Sequence, residues 1–188
     1  MKNLYCFIGP SGVGKDAIVS GLERQYGYKQ LKSYTTRPKR NDDDIGHIFI
    51  SKEEFGKMSD DVFFNDFKGF AAYSYFDGNY YFATVDQIQD NDLYIVDQKG
   101  FDELKKKELP KKLKLFYLCA SEMTRNRRMI HRGDSIEQVR QRIEYDKKMF
   151  DHDRLSKEAD KIFLNERRSI EEGITFFHQC IENYERGD

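Results

Sequence analysis

One octapeptide constrains this chain more than its composition does. Residues 9–16 read GPSGVGKD, directly after the short apolar run Leu4 to Ile8. The spacing GxxxxGK lets a loop turn so tightly that successive backbone N–H groups converge on a phosphate, with the lysine reaching the β and γ oxygens. Helical periodicity starts near Lys15, so the loop amides belong at the positive end of a helix, where an anion is favoured. A strand, a phosphate-cradling loop and a helix are therefore expected in that order. Gly9, Pro10, Ser11, Gly12, Val13, Gly14, Lys15 and Asp16 are the candidate donor-phosphate residues. Asp16 stands where such loops usually carry a Ser or Thr hydroxyl for Mg²⁺. A carboxylate there can hold the metal directly or through water; equally, it can act only as a favourable charge in the first helical turn, worth about 0.3 to 1 kcal/mol.

The rest of the chain repeats the alternation that the loop implies. Leu4 to Ile8, Tyr94 to Asp97, Leu113 to Cys119 and Lys161 to Leu164 have strand length and little polar alternation, the pattern of parallel strands buried on both faces. Helical period runs through Asp16 to Gln25, Phe101 to Glu108, Glu122 to His131, Ile136 to Phe150 and Ile170 to Tyr184, with Ile136, Val139, Ile143 and Phe150 on one stripe of the fourth. The class is α/β, a parallel sheet covered by helices. Residues 33–88 break the alternation: ten aromatics lie between Phe63 and Phe82, and Asp77-Gly78-Asn79 separates two aromatic runs as a hairpin turn would. This region is expected as an insertion into a single domain of 188 residues, its core formed by 1–32 and 89–188. Asp97 ends an apolar run and so belongs at the carboxyl edge of the sheet, where such folds bind ligands. There it can orient a metal-bound water or the accepting group, or simply end the strand.

Composition narrows the setting. With 32 basic and 33 acidic side chains the net charge is −1, so no global field draws nucleic acid or an anionic membrane, and any anion site must be local. No apolar run approaches a membrane span or a signal-peptide core. The three cysteines, Cys6, Cys119 and Cys180, form no CxxC pair and read as buried thiols in a reducing compartment. A soluble cytoplasmic protein without disulfides is the expectation.

Five segments in order carry a family resemblance: GPSGVGKD, SYTTRPKR at 33–40, DGNYYFAT at 77–84, IVDQKG at 95–100 and HRGDS at 131–135. Together they resemble guanylate kinase over nearly the whole chain. The resemblance implies a three-layer P-loop kinase fold with a parallel core sheet, a small mixed β insertion at about 33–88 that binds the nucleoside monophosphate (NMP), and a helical lid at about 125–148. It implies phosphoryl transfer from ATP with Mg²⁺ to GMP, by a monomer or homodimer whose partners are nucleotides and not nucleic acid or membrane. Such transfer is catalysed by positioning and charge neutralisation, so cations are needed on both substrates. Arg37, Arg40 and Tyr81 match the family's acceptor-phosphate residues, and Ser33 and Thr84 its base contacts. Arg125, Arg128 and Arg132, spaced i, i+3, i+7, share a helical face and Arg142 follows on the next helix. By similarity Arg128, Arg132 and Arg142 close over ATP with Lys15, and Asn165 falls where the family contacts adenine.

Departures from the family concentrate at the acceptor. Six residues before Gly78 the family usually has a Glu that reads guanine, and here that position is Ala72. Loss of such a charged hydrogen-bond partner costs about 1.5 to 3 kcal/mol, roughly 10- to 150-fold in selectivity. The family's Tyr after TTRP is replaced by His47, and the hairpin ends YFAT. Ala72 and the GKD ending also fit ribose 1,5-bisphosphate phosphokinases, and a specialised deoxynucleotide kinase is a third enzymatic reading. Outside enzymes, Arg37, Arg40 and Tyr81 could grip a phosphopeptide in a non-catalytic scaffold, although the intact Lys15 opposes that. The stretch KGFAAYSY at 68–75 approaches an RNA-binding strand but lacks its aromatic at Ala72. The six lysines between Lys105 and Lys114 read as a solvated helix end, Asp42 to Asp44 as a polar turn, and Tyr80 as packing.

Overall fold

The computed structural model describes residues 2–187 except 40, 41, 43, 64–68 and 77. Five strands, β1 (Asn3–Ile8), β2 (Gln30–Leu31), β7 (Leu93–Ile95), β8 (Lys112–Cys119) and β9 (Lys161–Leu164), form a parallel sheet in the order β2-β7-β1-β8-β9. Between β2 and β7 the chain builds a second sheet in the order β4-β3-β6-β5, from β3 (Tyr34–Thr35), β4 (Ile48–Phe49), β5 (Phe70–Phe76) and β6 (Asn79–Thr84). Its β5–β6 and β3–β6 pairs are antiparallel. The helices are α1 (Lys15–Tyr26), α2 (Lys52–Phe63), α3 (Val85–Asp90), α4 (Gln98–Lys105), α5 (Glu122–His131), α6 (Ile136–Met149), α7 (His152–Glu158) and α8 (Ile170–Arg186).

The absence of polar alternation in β1 follows from its central place. Leu4, Cys6 and Ile8 enter a core with Phe101, Leu104 and Leu155, while Tyr5 and Phe7 enter another with Ile18, Leu22, Ile174 and Phe177. Helices therefore cover both faces, giving three layers. On one of them α1 and α8 meet so closely that a Cβ on Gly21 would lie 2.1 Å from Cδ1 of Ile174. The small sheet has its own aromatic core of Phe55, Phe70 and Phe82, against which Tyr80 packs. Gly78, at φ 73, supplies the left-handed turn between β5 and β6, and Asp77 lies outside the described residues.

Two expectations about burial need correction. In β9, Ile162 is 44% and Leu164 55% exposed, because β9 is the edge strand and only Phe163 enters the core. Ile136 is exposed at the first turn of α6, and the buried stripe of that helix is Val139, Ile143 and Asp146, so a carboxylate takes a core position. Cys6 and Cys180 are buried and Cys119 half-buried, all as free thiols. Among the described residues no helix is long and apolar enough to cross a membrane. In the lysine-rich segment Lys105, Lys106, Lys111 and Lys114 pair with Asp or Glu neighbours, which neutralises much of its charge.

Candidate active site

The loop leaves β1 at the centre of the sheet and turns into α1. Gly12 adopts φ 75 where a Cβ would sit 2.7 Å from the Arg125 carbonyl oxygen, and Gly14, at φ 99, is the N-cap of α1, so neither position accepts a side chain without strain. Lys15 folds under the loop and donates from Nζ to the carbonyls of Gly9 at 2.6 Å and Pro10 at 3.2 Å. Burial lowers its pKa, against the opposing pull of the Asp16 and Asp146 carboxylates. A cleft over the loop is lined by Ser11, Gly12, Gly14, Lys15, Asp16, Arg128, Arg132 and Arg142 among others, whereas Gly9, Pro10, Val13 and Asn165 are not in its lining.

The arginines are delivered by α5 and α6. Ser121 caps α5, and Glu166, just past β9, accepts from the Ser121 N–H and from Thr124 Oγ1 at 2.8 Å, fastening the start of that helix. The Thr124 and Ser121 hydrogen bonds hold the Glu166 carboxyl below its usual range. Arg128 donates from Nη1 to the Val13 carbonyl at 3.3 Å and from Nη2 to Asn165 Oδ1 at 3.4 Å, and burial lowers its pKa. Asn165 is fully buried and donates from Nδ2 to the Val13 carbonyl at 2.8 Å. Its amide thus braces the loop and Arg128. Asp134 joins Arg132, at 2.5 Å, to Arg142, at 3.7 Å, and so supplies a countercharge between these two cations.

A second cavity opens between the two sheets, lined by Ser33, His47, Ala72, Ser74, Tyr81, Asp97 and Tyr145 among others. Ser33, Tyr81 and Asp97 therefore meet as the sequence suggested. Asp97 follows β7 and caps α4, its Oδ1 accepting the Gly100 N–H at 2.6 Å; burial raises its pKa against the pull of that bond and of Lys99 and Lys15. Thr84 is committed elsewhere: it caps α3 by accepting the Gln87 N–H, and Gln87 Oε1 accepts the Thr84 N–H in return. Arg37 pairs with Asp44 at 2.9 Å and lies over the Phe49 ring at 5.2 Å, and its Nε is buried with no hydrogen-bond partner among the described residues. Arg40 lies outside the described residues. His47, whose Nδ1 is 2.9 Å from Ser33 Oγ, lines this cavity, the cleft over the loop and a further cleft around Arg37.

Sequence reasoning missed four of these residues. Arg125 was placed on a basic face with Arg128 and Arg132, but it is buried against Asp146 at 2.9 Å. Asp134 enters the sequence reading only within the HRGDS segment, without a role of its own, Tyr145 carries no signal, and for Asp146 the signal is an acidic residue at the third place of an otherwise apolar stripe in α6. Hard oxygen donors that could hold a magnesium ion line both cavities, Asp16 in the cleft over the loop and Asp97 in the one between the sheets. Among the described residues there is no cluster of three or more His, Cys, Asp or Glu side chains placed to cage a metal alone. An ion shared with substrate phosphates suits this arrangement.

With the loop, lid arginines and second cavity in place, comparison with known proteins decides the family. The family model for guanylate kinase matches residues 1–184. The chain belongs to the guanylate kinase family. The guanylate kinase of Haemophilus influenzae is 32% identical over 148 residues, spanning 73% of this chain and 68% of that one. The guanylate kinase of Mannheimia succiniciproducens is 30% identical over 176 residues, 87% of this chain and 80% of that one. The crystal structure of guanylate kinase from Anaplasma phagocytophilum shares the fold, with a TM-score of 0.65 at 15% identity over 97% of this chain and 86% of that one. The guanylate kinase P-loop fold expected from the five segments is thus the fold observed.

Proposed function

We propose that this protein is an ATP-dependent nucleoside monophosphate kinase, with GMP the first acceptor to consider. The observation that carries the reading is the presence of two cavities that share His47 in their walls, one built on the phosphate loop with Lys15, Arg128, Arg132 and Arg142, the other on the insertion with Ser33, Tyr81 and Asp97. Family membership and the guanylate kinases among its relatives support the same reading.

The chemistry follows from charge and placement. A phosphate oxygen of the acceptor attacks the γ phosphorus of ATP, the bond to the β-bridging oxygen breaks, and ADP leaves with that electron pair. Loop amides and Lys15 hold the donor phosphates, Arg128, Arg132 and Arg142 neutralise the charge spread over the migrating group, and Arg37 with Arg40 and Tyr81 fixes the acceptor phosphate. Arg132 and Arg142 would exchange Asp134 for phosphate, and Arg37 would exchange Asp44. Asp16 and Asp97 are the residues to hold Mg²⁺, which when bound neutralises phosphate charge. The lid helices exclude water, preventing futile hydrolysis.

A coupled ADP-release assay tests this against GMP, dGMP, the other nucleoside monophosphates and ribose 1,5-bisphosphate, with Lys15→Met as the blank. Turnover with GMP would mean that guanine is read without a carboxylate at position 72. Activity confined to another acceptor would make Ala72 and His47 the marks of a changed substrate. Silence on all of them would leave a phosphate-binding scaffold.

A further inference from the structure

Helix α6 sets two consecutive side chains against the two halves of the site. Asp146 is 3% exposed. Its carboxylate accepts the Ser11 N–H at 2.8 Å, the Ser11 Oγ–H at 3.2 Å and Arg125 Nη1 at 2.9 Å. Arg125 in turn donates to the Ser11 carbonyl at 3.3 Å, so the Ser11 residue is gripped at its N–H, its carbonyl and its side chain. The neighbours of Ser11 are Pro10, whose carbonyl receives Lys15 Nζ, and Gly12. A buried ion pair is weak evidence for stability, since well-packed apolar residues commonly replace one without loss. The stripe-mates of Asp146, Val139 and Ile143, are already apolar, so core packing does not demand a charge there. What the carboxylate accomplishes is to fix the conformation of the phosphate loop.

Tyr145, one residue earlier, lies in the wall of the acceptor cavity with Ser33, Ala72, Tyr81 and Asp97. A residue that shares the acceptor cavity is thus joined by a single peptide bond to one that holds the donor loop. We propose that α6 couples the two substrates: Tyr145 contacts the bound acceptor and Asp146 is a positioning residue for the phosphate loop, so that filling the acceptor cavity tightens donor binding. The coupling rests on the two-substrate reading above. By linkage it is reciprocal, the donor tightening acceptor binding by the same factor.

The test is calorimetric titration of a non-hydrolysable ATP analogue with Mg²⁺, without and with saturating acceptor, GMP or whichever acceptor the turnover assay identifies, and the converse titration. The wild-type protein is expected to show a coupling of about 5- to 50-fold, within the usual range for linked sites. Tyr145→Phe and Asp146→Asn should each reduce it to twofold or less, and Asp146→Asn should lower kcat while leaving the Kd of the acceptor alone unchanged. Should Asp146→Asn fail to fold, Arg125→Met with Asp146→Leu replaces the pair by apolar side chains, keeps the fold and should still lose the coupling. A wild-type protein that binds both ligands independently overturns the coupling and leaves the kinase reading intact, as do variants with undiminished coupling. A wild-type protein that binds neither ligand overturns both.

Discussion

Lys15 carries a positive charge where burial opposes it, and the lowered pKa records that conflict. The protonated form is disfavoured by folding, so an uncharged side chain of similar length should be better tolerated by the fold and useless to the reaction. Lys15→Met is expected to reduce turnover by about 10³-fold or more, as for the loss of a principal transition-state charge, while its thermal midpoint at pH 7 equals or exceeds that of the wild type. Turnover within tenfold of wild type would remove Lys15 from the mechanism, and a fallen midpoint would show that its contacts with Gly9 and Pro10 stabilise the fold. Lys15 and its loop were legible in the sequence because their spacing is local. Asp146 was not: its partner Ser11 lies 135 residues away, and a helical pattern cannot report a contact across the chain. Thr84 has a local role that its place in the hairpin segment does not announce, since its Oγ1 accepts the N–H of Gln87 as a helix cap.

Among elements, α4 and α7 are held together by charge. Asp102 pairs with Arg154 and with Lys105 at 3.3 Å, and Lys105 reaches Glu158 at 2.9 Å. The hydrogen bonds from Arg154 hold the Asp102 carboxyl below its ordinary range. A depressed folded-state pKa gives stability that is present above the unfolded value, about 3.9, and lost as pH falls through the folded value. Asp102→Asn should therefore lower the thermal midpoint at pH 7, and the gap to wild type should close as pH drops below about 4, near that reference value. Parallel midpoint curves from pH 7 to pH 3 would show that the pair contributes nothing through its charge. Neither α7 nor the short strands β2, β3 and β4 was expected from the sequence. Two-residue strands leave no period to read, and they exist because neighbours such as β6 and β7 offer them hydrogen bonds.

At the scale of the molecule, Arg132 and Arg142 are tied by Asp134 and Arg37 by Asp44, internal carboxylates that, on the proposed function, phosphates displace. Ligands that replace them stabilise the folded state by mass action, about 2.7 kcal/mol at a hundredfold excess over Kd. ATP with Mg²⁺ and the acceptor, each at that excess, should each raise the thermal midpoint, and the pair should raise it by more than the sum of the two. A strictly additive shift would contradict the coupling through α6 without touching the fold. The phosphate loop, the parallel core and the family are legible from the residues alone, because they rest on spacing within a few residues and on the burial of continuous apolar runs. Long-range packing sets the rest: Asn165 braces the loop, Arg125 is buried with Asp146, His47 lines three cavities, and Tyr145 lies in the wall of the one between the sheets. Each of those depends on which distant element the chain brings alongside, and a buried polar group takes its role from the partner that satisfies it.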